Sequence, residues 1–131
     1  MSGKLYVVGT PIGNLEDMSP RAVRVLDEAD FIAAEDTRVT VKLLNHFGIK
    51  KEMLSYYEHN KNSKGNLIIE RILNGESCAL VSDAGMPAIS DPGEDLVRQA
   101  HEVGICVESV PGPSALVTAL SISCLLYTSD A

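Results

Sequence analysis

The chain has 131 residues, of which 45% are hydrophobic and 22% charged, and its formal net charge is −7 at pH 7. That length and balance suit one folded domain and exclude a disordered or low-complexity segment. The negative charge argues against this segment alone gripping a phosphate backbone, because such affinity comes from Lys and Arg neutralising phosphates.

Leu5 to Val8 reads as a first strand closed by Gly9. Ser19 then caps a helix with Pro20 in its first turn, and Ala22, Val23, Leu26 and Ala29 place an apolar stripe on one face. Phe31 to Ala34 is a second strand. Thr37 is expected to cap the next helix, with Val41, Leu44 and Phe47 three apart on its buried side and Gly48 as a left-handed carboxyl cap. Met53 to Tyr57 is a weaker third strand. A helix over 64–73 follows, in which Leu67, Ile68, Ile72 and Leu73 cluster at helical spacing before Asn74-Gly75 stops it. Ala79 to Val81 is a fourth strand, Glu94 to Val103 a helix ended by Gly104, Ile105 to Val110 a fifth strand and Ser114 to Ile122 a last helix. Strands alternating with helices in this way predict an α/β fold, a three-layer domain whose five-stranded, mainly parallel sheet is flanked by helices.

No repeat, charge block or linker divides residues 1–123, which read as one domain. Residues 124–131 match no element and read as a truncation or an unrelated end. The start, Met1-Ser2-Gly3-Lys4-Leu5, has neither the basic region nor the cleavage pattern of a signal peptide. No apolar run approaches the ~20 residues of a membrane helix. Cys78, Cys106 and Cys124 sit singly in apolar surroundings and are expected to be buried, reduced thiols, as suits a cytoplasmic chain. His46, His59 and His101 lack partners at metal-ligand spacing, so no metal is expected.

In open parallel sheets, ligands bind beyond the carboxyl ends of the strands, and every unusual motif of this chain falls there. Gly9-Thr10-Pro11-Ile12-Gly13-Asn14-Leu15 follows the first strand, Glu35-Asp36-Thr37-Arg38 the second, Ser82 to Gly93 the fourth and Pro111-Gly112-Pro113-Ser114-Ala115 the fifth. Glycine lets backbone approach a ligand and proline stiffens the loop, so these segments make a rigid cradle. The first loop is not a dinucleotide fingerprint, since its glycines are four apart with Pro11 between them, and no Gly-Lys-Ser or Gly-Lys-Thr marks a nucleoside-triphosphate loop. The segment from Ser82 to Gly93 exceeds the usual ~2–6 residue connection, and its Asp83 and Asp91 favour a cationic ligand such as a sulfonium, or serve as turn caps. Glu35, Asp36 and Arg38 read either as a solvated helix start or as a group that positions substrate or moves a proton, and His59 in Tyr56-Tyr57-Glu58-His59-Asn60 is a further candidate.

These motifs resemble, in order over residues 4–123, the tetrapyrrole methylase superfamily, and within it the ribosomal RNA small subunit methyltransferase I group, which 2′-O-methylates a cytidine of 16S rRNA. Ala34-Glu35-Asp36-Thr37-Arg38 and the Ser82–Gly93 loop carry the likeness to that group. The resemblance implies an S-adenosyl-L-methionine-dependent enzyme with a second α/β domain, the cofactor in the cleft between the domains, a homodimer, and 16S rRNA or the small ribosomal subunit as partner. Cofactor contacts would then come from Pro11, from Asp83, Ala84, Gly85 and Met86, from Ile89 and Ser90, and from Pro113, Ser114 and Ala115. Asp36, or else Glu35 or His59, would orient or deprotonate the ribose hydroxyl, with Arg38 on a phosphate. Two departures stand out. The family's Tyr-His-Glu-His-Asn is here Tyr56-Tyr57-Glu58-His59-Asn60, and its Ser-Ile-Ser-Gly-Leu-Pro is here Ser121-Ile122-Ser123-Cys124-Leu125-Leu126. The alternatives are a tetrapyrrole or protein methyltransferase of the same superfamily, or a folded fragment that does not turn over.

Overall fold

The computed structural model describes residues 3–9, 18–81 and 93–110. Within them five strands alternate with four helices: β1 (Lys4–Val8), α1 (Pro20–Glu28), β2 (Phe31–Ala34), α2 (Thr37–His46), β3 (Glu52–Ser55), α3 (Lys61–Leu73), β4 (Cys78–Val81), α4 (Gly93–Glu102) and β5 (Cys106–Val110). The strands form one sheet in the order β3-β2-β4-β1-β5, with every pairing parallel. The expected α/β architecture is therefore present. Its fifth helix, over 114–122, the tail over 124–131 and Cys124 lie outside the described residues.

The inner strands β2 and β4 read Phe-Ile-Ala-Ala and Cys-Ala-Leu-Val and are buried at every position, as strands covered on both faces must be. Alternation along the strands divides the core in two. Leu5, Val7, Phe31, Ala33, Cys78, Leu80 and Val107 pack against α3 and α4 through Ile68, Ile72, Leu96 and Ala100. Val8, Ile32, Ala34, Ala79, Val81 and Val110 pack on the other face against Ala22, Leu26, Leu43 and Leu44 of α1 and α2. The result is three layers, helices over sheet over helices.

Local chemistry sets the helix ends. The Ser19 hydroxyl accepts from the Ala22 N–H at 3.0 Å at the start of α1, with Pro20 next. Gly48 and Gly104 have φ of +71° and +80°, and beyond each the chain closes back on the helix, Ile49 N–H on the Leu44 carbonyl and Ile105 N–H on the Ala100 carbonyl, both at 2.9 Å.

Some expectations are corrected. Asp36, not Thr37, caps α2. The buried side of that helix carries Thr40, Leu43 and Leu44, with Val41 turned outwards and 36% exposed. Val41 lies about 100° round the helix from Thr40, and the small β-branched threonine takes the place against the sheet. α3 begins at Lys61 rather than Lys64, and its buried stripe is Gly65, Ile68, Ile69 and Ile72, leaving Leu67 and Leu73 exposed. Cys78 is buried as expected, but Cys106 is exposed because it opens an edge strand.

Candidate functional site at the carboxyl edge of the sheet

Because every pair is parallel, all five strands finish at the same edge. β4 is the middle strand, β1 its neighbour and β5 next beyond, so the segments after residues 8, 81 and 110 leave from adjacent positions. Gly9 N–H donates to the Val110 carbonyl at 3.2 Å, which fixes the start of the first glycine-proline segment beside the start of the last. One residue short of the edge, the Ser109 hydroxyl is buried and has no hydrogen-bond partner among the described residues. Pro11, Asp83, Ala84, Gly85, Met86, Ile89, Ser90, Pro113, Ser114 and Ala115, the residues expected to touch a cofactor, lie outside the described residues.

The other half of the edge is described in full. Ala34 and Ser55 are register partners at the ends of β2 and β3, and Tyr56 N–H continues the ladder onto the Ala34 carbonyl at 2.8 Å. That pairing brings the Glu35–Arg38 turn and the segment after β3 together. Glu35, Asp36, Thr37, Arg38, Ser55 and Tyr57 line one open concavity of about 490 Å³.

Asp36 organises it. Its carboxylate accepts from the Arg38 backbone N–H at 2.9 Å as a helix cap, and from Arg38 Nε and Nη2 at 3.2 and 3.1 Å as a two-pronged ion pair. Those Arg38 hydrogen bonds hold the Asp36 carboxyl below the usual carboxylate range. The carboxylate is thus ionised, rigid and weakly basic, suited to accepting a hydrogen bond more than to keeping a proton. The Arg38 side chain remains 89% exposed. Of the five N–H groups a guanidinium carries, two are used, and the rest have no partner among the described residues.

Three of the four expected substrate-side residues, Glu35, Asp36 and Arg38, are thus assembled. His59 is not on the wall of the concavity; it is exposed and reaches it only through Tyr57, with ring centroids 6.2 Å apart in an edge-to-face contact. The residues not foreseen are Ser55, Tyr57 and Asn60. Asn60 Oδ1 accepts from the Tyr57 N–H at 2.8 Å while its Nδ2 donates to the Ser55 carbonyl at 2.9 Å, closing the turn after β3 from both sides. The signal for Tyr57 lay in its place in the Tyr56–Asn60 motif, directly after the strand whose register brings it beside Glu35–Arg38.

Beyond Asn60, Lys61 reaches Glu58 at 2.7 Å and Asp95 at 2.6 Å, tying this turn to the first turn of α4. Among the described residues no group of three or more His, Cys, Asp or Glu could hold a metal ion, and no helix is long and apolar enough to cross a membrane.

A family model for tetrapyrrole (corrin/porphyrin) methylases matches residues 4–131. The chain is 60% identical over 121 residues to a ribosomal RNA small subunit methyltransferase I from Halalkalibacterium halodurans, which covers 92% of the chain and 42% of that protein. It is 55% identical over 120 residues to the protein of the same name from Pseudomonas aeruginosa, covering 92% of the chain and 43% of that relative. The chain thus spans well under half the length of these two relatives. Among solved structures, a uroporphyrin-III-C-methyltransferase from Thermus thermophilus superposes with a TM-score of 0.66 at 26% identity, over 91% of this chain and 50% of that one. With its all-parallel sheet and this match along nearly all of its length, the chain belongs to the tetrapyrrole methylase family.

Proposed function

We propose that residues 1–123 are the amino-terminal, S-adenosyl-L-methionine-binding domain of a two-domain methyltransferase acting on the 2′-hydroxyl of a cytidine in 16S rRNA. The 60% identity to a protein named ribosomal RNA small subunit methyltransferase I carries this reading. In it the whole enzyme is a cytoplasmic homodimer that binds the small ribosomal subunit, with a second domain forming the other wall of the cofactor cleft.

The described residues fit such a cofactor. Three segments of small and proline residues leave from adjacent strands, and close to that edge the buried Ser109 hydroxyl has no partner among the described residues. Pro11, Asp83–Met86, Ile89, Ser90 and Pro113–Ala115 would hold the cofactor, which supplies a methyl group on a positively charged sulfur.

What remains for the protein is alignment of the attacking oxygen and removal of its proton. Asp36, fixed by Arg38 and by the start of α2, is placed to accept a hydrogen bond from the ribose hydroxyl and orient it. Its lowered proton affinity favours that role over keeping the proton, which then passes to Glu35 on the same wall or to water. Arg38 meets a phosphate with its outward N–H groups. Single-turnover methylation of 16S rRNA by the full-length enzyme tests these roles. Asp36→Ala should lower the rate at least ~100-fold, the scale of lost proton-transfer and orienting groups; if Asp36→Ala and Glu35→Ala both leave it unchanged, the assignment is wrong.

A further inference from the structure

The concavity beside Asp36 holds a second feature that proton transfer does not use. Tyr56 and Tyr57 are adjacent, but Tyr56 is 2% exposed and packs on α3 at Gly65, whereas Tyr57 is 39% exposed. Burying a tyrosine ring is favourable, so an outward one at a strand end has to be held there. Three bonds fix the backbone that presents it: Tyr57 N–H donates to Asn60 Oδ1, Asn60 Nδ2 donates to the Ser55 carbonyl, and Tyr56 N–H donates to the Ala34 carbonyl. The His59 ring meets Tyr57 at an interplanar angle of 69°, an edge contact rather than a stack.

In the same concavity lies Arg38, whose planar guanidinium is anchored on one side by Asp36 and open on the other. An exposed ring on a stiff turn, a phosphate-binding fork beside it, and carboxylates that repel other phosphates together select an unstacked nucleotide. The ring takes the base, which is uncharged and has a flat face, and the fork takes the adjoining phosphate. A duplex offers the phosphate but not the base, whose faces are stacked away.

We infer that Tyr57 is a stacking platform for a single-stranded RNA base next to the methylated nucleotide, and that Asn60 is the positioning residue that presents it. This deepens the rRNA reading and rests on it. The test uses the full-length enzyme with a single-stranded RNA oligonucleotide and with 16S rRNA. Tyr57→Ala should raise the KM for RNA roughly ten-fold while kcat and the calorimetric affinity for S-adenosyl-L-methionine stay unchanged, in line with the stacking contribution of one base. Tyr57→Phe should restore the KM, because a phenyl ring stacks without the hydroxyl, and Asn60→Ala should reproduce the defect with the ring intact. Ultraviolet cross-linking should join RNA to Tyr57. An unchanged KM in Tyr57→Ala, or equal defects in Tyr57→Ala and Tyr57→Phe, overturns the platform while rRNA methylation stands. A wild-type enzyme that neither binds nor methylates RNA overturns both readings.

Discussion

Asp36 performs two tasks with one carboxylate, and the two can be separated. As a cap it needs only an acceptor oxygen at the start of α2; as the anchor of Arg38 it needs charge and two oxygens. Asparagine caps as well as aspartate does but cannot hold a guanidinium with a two-oxygen fork. Asp36→Asn is therefore expected to melt within about a degree of the wild type, whereas Asp36→Ala loses the cap and melts a few degrees lower, on the order of one lost cap in a domain of this size. In activity the order changes, and both variants fall together because both release Arg38. Thermal unfolding followed by circular dichroism, set beside single-turnover rates, reads both effects. Equal melting of Asn and Ala would show that the cap is not the stabilising contact.

At the scale of elements, the edge strand β3 pairs on one side only, with β2, and is the least buried strand of the sheet. Arg71 of α3 secures it. Its guanidinium takes both oxygens of Glu52 on β3 at 2.9 Å and both of Glu76 before β4 at 2.8 and 2.7 Å, and lies 3.9 Å over the Phe31 ring of β2. One planar group thus joins an edge strand, a turn and an inner strand, and lysine cannot match that geometry. Arg71→Met and Arg71→Lys should both lower unfolding stability by about 2 kcal/mol in urea titrations. The bonds to Arg71 hold the Glu52 and Glu76 carboxyls below their ordinary range. Each carboxyl therefore binds its proton less readily folded than unfolded, and the stability it adds is present above the ordinary carboxylate range and lost as pH falls through the lowered values. The acid limb, between about pH 5 and 2, should be shallower in Arg71→Met than in the wild type.

The same elements show how much could be read beforehand. Strand runs such as Phe31–Ala34 and the closing glycines 48 and 104 carry local signals, and the fold follows from them. The Glu35–Arg38 corner was legible because a charged cluster at a strand end is local too. Tyr57 and Asn60 stand in the Tyr56–Asn60 motif, but the concavity that Tyr57 lines depends on the register of β2 with β3, and the Lys61–Asp95 tie joins residues 34 positions apart, so neither is legible locally. The α2 stripe is legible at Leu44 but not at Thr40, because hydrophobicity alone favours the neighbouring Val41.

For the whole molecule, the decisive quantity is charge. A formal −7 is spread over the chain, and the phosphate contact proposed for it is a single guanidinium already paired with a carboxylate, so on the proposed reading this domain would meet RNA at its edge without gathering it from solution. Gathering needs lysines and arginines that release counterions, and each phosphate so neutralised steepens the fall of log affinity with log salt by about 0.7 for a single strand. The isolated 131-residue chain is therefore expected to bind single-stranded RNA weakly, with a slope close to that of one contact. If the proposed second domain and partner subunit carry the basic surface, the full-length enzyme should bind at least ~100-fold more tightly and with a slope several units steeper, because several phosphate contacts each multiply affinity and each add to the salt dependence. Fluorescence anisotropy of a labelled oligonucleotide across 50 to 200 mM salt measures both on one scale. Equal affinity and equal slope would place the basic surface within these residues, contrary to their charge. A large gap in affinity with the slope unchanged would mean that the rest of the enzyme contributes stacking and hydrogen bonds rather than phosphate contacts.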